Sequence, residues 1–123
     1  MPQARSAPEK NHTEYMLRRK YPRRKFRRGV GFLCLGQYTV GSGFEIGEGG
    51  IAFKSSRELA MEDHVIVSLQ VPGGSFVSVR ATVKNKQDEG GGRFVYGVSF
   101  ENLKFEWRRE IRNFVTARTT NEQ

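Results

Sequence analysis

The side chains best suited to specific chemistry are the arginines of the segment PRRKFRRGV, residues 22–30. Guanidinium groups hold phosphate oxygens through paired hydrogen bonds, bind the O6/N7 edge of guanine and stack on planar rings. The first 30 residues contain ten cations and two carboxylates, whereas the remaining 93 residues contain 11 of each. All of the formal net charge of +8 therefore lies in an N-terminal basic arm, which predicts an anionic, phosphate-bearing partner.

A second unusual segment is EIGEGGIAF, residues 45–53, in which glycines directly precede an apolar run. Glycine at this density indicates a backbone with positive φ angles or a close approach to another group. A tight turn between two strands explains Gly49 and Gly50 without a ligand, and a ligand-binding turn explains them equally well. The residue pattern leaves both interpretations open.

Residue types that serve catalysis or metal binding are sparse. His12 and His64 are far apart in the sequence, and the adjacent side chains of Glu62 and Asp63 diverge in a strand or turn. Cys34 is the only cysteine, and its position in an apolar run predicts a small buried side chain. We therefore expect no enzymatic activity, no catalytic residue, no metal site and no cofactor.

The lack of long apolar segments in the sequence and its single cysteine indicate the cellular compartment. The N-terminal residues contain no apolar core of a signal peptide, and no apolar run approaches the ~20 residues that span a bilayer. A single cysteine is compatible with a reducing environment. These observations predict a cytoplasmic protein without a transmembrane segment.

From Gly29 onwards, short segments of β type alternate with glycine-rich turns. Six strands are predicted, in the segments VGFLCLG, QYTVGSGFEI, GGIAFKS, HVIVSLQVP, SFVSVRATVKNK and RFVYGVSFENL. Their short, regular spacing favours an antiparallel barrel or sandwich over a parallel sheet with crossover helices.

The C-terminal segment has a different period. Apolar residues follow one another at spacings of four and three from Leu103 to Val115, which predicts an amphipathic helix of about four turns that covers part of the barrel. Residues 1–19 are polar and are expected to form a flexible tail, and residues 119–123 a second tail. Residues 20–118 then form a single domain, because 123 residues provide for one modest core.

Taken together, the basic arm, the glycine-rich turn and the strand pattern resemble the PilZ domain, a bacterial receptor module for the second messenger cyclic di-GMP. The first PilZ motif, R-x-x-x-R just before the first barrel strand, matches Arg24 and Arg28, with Arg23 as a flanking cation. The later segment FVYGVSF and a closing amphipathic helix are also typical of the family. The resemblance covers residues 20–118 and implies a mainly β fold, a six-stranded antiparallel β-barrel with a flexible basic N-terminal arm and a C-terminal α-helix.

The second PilZ motif, D/N-x-S-x-x-G, corresponds to EIGEGG, with Glu45, Gly47 and Gly50 at its three marked positions. In the family, the acidic or amide residue accepts hydrogen bonds from guanine and the serine adds a polar contact. Glu45 keeps the carboxylate on a longer side chain, whereas Gly47 lacks the hydroxyl. Loss of one neutral hydrogen bond costs ~1 kcal/mol, which is several-fold in affinity.

The resemblance implies nucleotide-binding residues Arg23, Arg24, Arg28, Glu45, Gly47 and Gly50, with cyclic di-GMP as the ligand. The leading hypothesis is a stand-alone receptor that holds cyclic di-GMP between arm and turn and signals to a protein partner. One alternative, favoured by Glu45 and Gly47, is a PilZ-fold adaptor that no longer binds nucleotide. Another is a small basic barrel that binds nucleic acid, which is disfavoured; a solvated arm without a partner is the simplest alternative. Both a monomer and a dimer are compatible with the sequence.

Overall fold

The computed structural model of the chain describes residues 21–117, so the predicted tails at 1–19 and 119–123 and the residue His12 lie outside the described residues. Within this range the chain forms strands followed by one helix. The elements are β1 (Arg23–Lys25), β2 (Gly29–Cys34), β3 (Gln37–Gly47), β4 (Gly50–Ser55), β5 (His64–Gln70), β6 (Phe76–Gly90), β7 (Arg93–Phe100) and α1 (Phe105–Thr116).

Strands β2 to β7 form a closed, six-stranded antiparallel barrel. Their order is β3-β2-β5-β6-β7-β4, and the pairing of β4 with β3 closes the ring. Strand β3 pairs with β2 through residues 37–42 and with β4 through residues 42–47, and the β3–β4 register shifts between Gly43 and Glu45. Such a bulge bends a strand and increases its twist, which allows one long strand to serve both neighbours. The predicted fold class is confirmed.

The barrel core is formed by every second side chain of the strands, because successive side chains of a strand point to opposite faces. Val65, Val67 and Leu69 point inward from β5 and are almost completely buried, as a period of two requires. Cys34 is also buried, as predicted, and its burial raises the pKa of the thiol. The core is therefore a packed hydrophobic interior.

The described part of the basic arm is ordered, which differs from the predicted flexible segment. Strand β1 pairs antiparallel with the second half of β3, on the edge that β4 does not occupy. The residue directly after β1, Phe26, is 1% exposed, and its amide donates a hydrogen bond to Phe44 O at 3.1 Å. Burial of a phenylalanine contributes roughly 2–3 kcal/mol, which offsets the entropy of ordering a short cationic strand.

The helix α1 packs on the barrel beside β1. It begins two residues after Leu103, which is buried just before the helix, so α1 has about three turns rather than the predicted four. Ile111 and Val115 are buried, and Trp107 and Phe114 pack partly buried against the core. These contacts confirm the predicted amphipathic helix. No helix among residues 21–117 has the length and apolarity needed to cross a membrane.

Candidate functional site

The arm, β1 and the last turn of α1 border an open cleft of about 610 Å³, which we call the cationic cleft. It is lined by Arg23, Arg24, Lys25, Phe26, Arg27, Arg28, Pro72 and Phe114. Five of these eight residues are cations, and all three arginines of the predicted site are among them. A concave surface of this volume lined by several guanidinium groups is suited to a small phosphate-bearing ligand.

Arg24 has a structural partner inside the cleft. Its Nη1 donates a hydrogen bond to the backbone carbonyl of Phe114 at 2.8 Å, and its guanidinium lies 4.3 Å from the centroid of the Phe114 ring. Phe114 in turn packs edge-on against Phe26, with ring centroids 6.4 Å apart. Arg24 therefore joins β1 to the C-terminal end of α1, a position where a cation also interacts favourably with the helix dipole.

Arg23 lies on the other face of β1 and connects the arm to the glycine-rich turn. It is opposite Gly47 in the β1–β3 register, and its Nη1 lies 3.6 Å from Glu45 Oε1. Glu45 and Gly47 do not line the cationic cleft, but the side chain of Arg23, which does line it, reaches Glu45. Both side chains of the Arg23–Glu45 pair are roughly one quarter exposed, with relative exposures of 29% and 24%.

Gly47 is a point of close approach between the two segments. A Cβ at this position would lie 3.0 Å from Pro22 O and 3.3 Å from Arg23 Cγ. A serine at this position, as in the family motif, requires the start of β1 to shift by a few tenths of an ångström. Glycine at position 47 thus allows β1 to pack closely against β3.

Gly50 occupies a structural position. A Cβ on Gly50 would overlap the carbonyl oxygen of Val98 on β7, so only glycine fits where β4 passes β7. Glu48 and Gly49 form the two-residue connection between β3 and β4, closed by the pairing of Gly47 with Gly50. The tight-turn interpretation therefore accounts for Gly50, and the structure does not bring this residue to the cationic cleft.

Glu48, in the middle of the turn, was not identified from the sequence. Its side chain is 5% exposed and accepts hydrogen bonds from Arg112 Nε at 2.9 Å and Arg112 Nη2 at 3.1 Å. Arg108 Nη1 lies 3.9 Å from the same carboxylate. The hydrogen bond to Glu48 raises the pKa of Arg112 above its ordinary value. A signal was present in the sequence, because Arg108 and Arg112 stand four residues apart on one face of the helix.

A second carboxylate ties α1 to the loop that contributes Pro72 to the cleft. Glu110 accepts hydrogen bonds from the backbone N–H of Ser75 at 2.6 Å and from the Ser75 hydroxyl at 2.7 Å. These hydrogen bonds lower the pKa of Glu110. The helix is thus attached on one side to the turn and on the other to the loop between β5 and β6.

The electrostatic character of the site is suited to anion binding. Lys25, Arg27 and Arg28 are exposed at the cleft, whereas Glu45 is the carboxylate beside it. Among residues 21–117, no group of three or more histidine, cysteine, aspartate or glutamate side chains is arranged to hold a metal ion. The arrangement can therefore bind phosphate through guanidinium groups and can present one carboxylate acceptor at its edge.

Comparison with known proteins identifies the family. The PilZ domain model matches residues 17–117, which is most of the chain, and the chain belongs to the PilZ family. PilZ domains are receptor modules for cyclic di-GMP that act on protein partners and are not enzymes. The predicted recognition and the predicted absence of an enzyme function agree with this membership.

Three solved structures illustrate the shared fold. MotI/DgrA of Bacillus subtilis, an inhibitor of motility, is 14% identical with a TM-score of 0.76 over 86% of this chain and 53% of MotI. PlzA of Borreliella burgdorferi, solved with c-di-GMP, is 12% identical with a TM-score of 0.64 over 89% of this chain and 46% of PlzA. YcgR of Escherichia coli, also solved with c-di-GMP, is 14% identical with a TM-score of 0.62 over 80% of this chain and 44% of YcgR.

At these identities the likeness establishes the fold. The chain spans about half the length of these three structures, so it corresponds to one part of each of them. A search of curated proteins finds no significant match.

Proposed function

We propose that this protein is a cytoplasmic receptor that binds cyclic di-GMP at the cationic cleft and at the adjoining edge of the glycine-rich turn. In this proposal residues 20–118 form the receptor domain, and Arg23, Arg24, Arg28, Glu45 and Gly47 form the nucleotide site. Gly50 contributes to the site indirectly, because it allows the turn between β3 and β4 to form. The observation that carries the proposal is that a PilZ domain has five cations around one cleft, joined to its second motif by the Arg23–Glu45 contact.

The cleft residues suit the parts of a cyclic dinucleotide. Arg28 and Arg27 are exposed and supply guanidinium groups for the phosphodiesters. Phe114, Pro72 and the plane of the Arg24 guanidinium supply flat surfaces on which a guanine base stacks. Glu45 supplies an acceptor for the N–H edge of a guanine placed between the cleft and the turn.

The bound nucleotide would act on a protein partner through the arm and the helix. Arg24 and Phe114 join β1 to α1, and Glu48 and Arg112 join the turn to α1. A ligand that takes hydrogen bonds from Arg24 competes with the Phe114 carbonyl, so binding alters the surface where β1 and α1 meet. A partner that recognises this surface then responds to the nucleotide.

Calorimetric titration of cyclic di-GMP, and separately of a short DNA duplex, into the protein at low and high salt tests the proposal. We expect cyclic di-GMP to bind in the micromolar range or more tightly and Arg24→Ala to abolish or greatly weaken this binding. Binding of the duplex but not of the dinucleotide, weakening with log salt at a slope near ~0.9 per neutralised phosphate, would instead support nucleic-acid binding. If neither cyclic di-GMP nor the duplex binds, the receptor hypothesis is refuted, and the PilZ-fold adaptor that does not bind nucleotide remains.

A further inference from the structure

The turn between β2 and β3 combines backbone strain with an exposed apolar side chain. Leu35 and Gly36 form a two-residue hairpin loop in which both residues have positive φ, 53° and 78°. This is the pattern of a type I′ turn, whose first position favours asparagine, aspartate or glycine. Leu35 is nevertheless 93% exposed, so it gains nothing from burial within its own chain. The chain thus presents an apolar side chain to solvent at a turn position that disfavours leucine.

Leu35 belongs to a continuous apolar surface on the outside of the barrel, which we call the hairpin face. The antiparallel registers place Tyr38, Leu33 and Ile66 side by side across β3, β2 and β5, and Val40 lies next to Tyr38 along β3. Each of these four side chains is exposed. Scattered exposed apolar residues are ordinary, whereas a contiguous patch marks an interaction surface.

The hairpin face also contains a groove of about 460 Å³ beside the protruding Leu35. Leu33 and Ile66 line the groove, and Arg80 and Glu101 line it on the β6 side. The patch thus holds one projecting apolar side chain, one apolar recess and the two charges of Arg80 and Glu101. The carboxylate of Glu101 also accepts a hydrogen bond from Thr82 and lies 3.5 Å from His64 Nδ1 in its own chain. In an interface with two-fold symmetry, each of these features meets its complement on an identical surface.

We propose that the hairpin face is the interface of a homodimer, in which Leu35 of each protomer enters the groove of a second copy. The same arrangement places Arg80 opposite Glu101 of the second copy, so each charge has an oppositely charged neighbour across the interface.

The hairpin face and the cationic cleft lie at opposite ends of β2. Arg28 directly precedes the first residue of β2, whereas Leu35 directly follows its last residue, Cys34. Dimerisation through the hairpin face therefore leaves the cleft accessible in both protomers. The inference does not depend on nucleotide binding, and each can fail without the other.

Sedimentation velocity over a range of protein concentrations tests the proposal, with Leu35→Asn as the main variant. Asparagine suits the type I′ turn, so we expect the melting temperature measured at low concentration to rise by a few degrees. We expect the same substitution to weaken dimerisation at least tenfold, because it removes the apolar projection. A matched control is Phe105→Ser, which removes an exposed aromatic side chain outside the hairpin face and should leave dimerisation unchanged.

A charge exchange provides an independent test of the arrangement. Arg80→Glu alone should weaken the dimer severalfold through repulsion of Glu101 in the second copy, and the double variant with Glu101→Arg should recover it. The proposal is overturned if the wild-type protein remains monomeric at all accessible concentrations. It is equally overturned if Leu35→Asn dimerises as strongly as the wild type, because the dimer then uses another surface.

Discussion

The arm and the turn meet at the Arg23–Glu45 contact, but they use their polar side chains differently. The cations of the arm line an open cleft, and Lys25, Arg27 and Arg28 are exposed there. In the turn, the most deeply buried polar side chain, Glu48, is held by α1, and Gly50 is fixed by packing against β7. If the cleft binds the proposed nucleotide, we therefore expect the arm to provide most of the affinity, whereas the turn mainly supports the fold.

The helix α1 contacts both the arm and the turn. It holds the arm through Arg24 and Phe114 and the turn through Arg112 and Glu48. Because the two attachments are on one helix, α1 fixes the position of each region on the barrel. This arrangement gives the site a defined shape despite the excess of like charges in the arm.

The largest effect on binding is expected for the arm. Arg28→Ala removes an exposed guanidinium of the R-x-x-x-R motif, and loss of a hydrogen bond to a charged group costs about 1.5–3 kcal/mol, or roughly 10–150-fold in affinity. Calorimetry with cyclic di-GMP measures this loss. Arg93→Ala, at the start of β7 and outside the cleft, removes the same charge and is the control that should bind normally. Equal losses in both variants would contradict a role of the arm beyond net charge.

A large effect on stability, but not on binding, is expected for Glu48 in the turn. Glu48→Gln weakens the hydrogen bonds to Arg112 and should lower the free energy of unfolding by roughly 1–2 kcal/mol. Urea denaturation measures this change. The control is Glu62→Gln, because Glu62 forms an exposed ion pair with Lys84 at 3.1 Å, and such pairs contribute little. A Glu48→Gln variant of normal stability that fails to bind cyclic di-GMP would show that Glu48 contacts the ligand.

A smaller effect on binding is expected for the carboxylate at the edge of the turn. Glu45→Ala removes one acceptor near Arg23, which corresponds to ~1 kcal/mol or about fivefold in the dissociation constant. Glu45→Asp, which keeps the carboxylate on the shorter side chain of the family motif, should bind at least as well as the wild type. If Glu45→Ala loses more affinity than Arg28→Ala, the order of importance assigned to arm and turn is wrong.

The smallest effect concerns the attachment of α1 to the loop beside the cleft. The pKa of Glu110 is lowered from an ordinary value of 4.5, so its contribution to stability is present above pH 4.5 and is lost as the pH falls through the lowered pKa. The melting temperature of the wild type should therefore exceed that of Glu110→Gln at neutral pH, and the difference should vanish in acid. A difference that stays constant with pH would exclude ionised Glu110 as its source.

Most of the barrel was predictable because its signals are local. Alternation of residues such as Val65, Val67 and Leu69 marks the strands, and glycine-rich turns separate them. Strand β1 was not predicted, because three consecutive cations have no apolar alternation. Its formation depends on the burial of Phe26 and on the bulge in β3, neither of which is visible in the residues of β1 themselves.

The site was predictable to the extent that its residues are neighbours in the sequence. Arg23, Arg24 and Arg28 share one short motif and line one cleft. The Glu48–Arg112 contact joins residues 64 positions apart, and no local pattern specifies that distance. Likewise, the contact of Arg24 with Phe114 appears only when α1 is packed beside β1.

The central claim, that cyclic di-GMP is held between the arm and the turn, is tested most directly by mapping the backbone amide resonances of the isotopically labelled protein during titration. We predict the largest chemical-shift changes from Arg23 to Arg28, with smaller changes at Glu45 and Gly47 and at the end of α1. The hairpin face, from Leu33 to Val40, should remain unchanged in the same spectra. Changes centred elsewhere, or no change at millimolar nucleotide, would contradict the account.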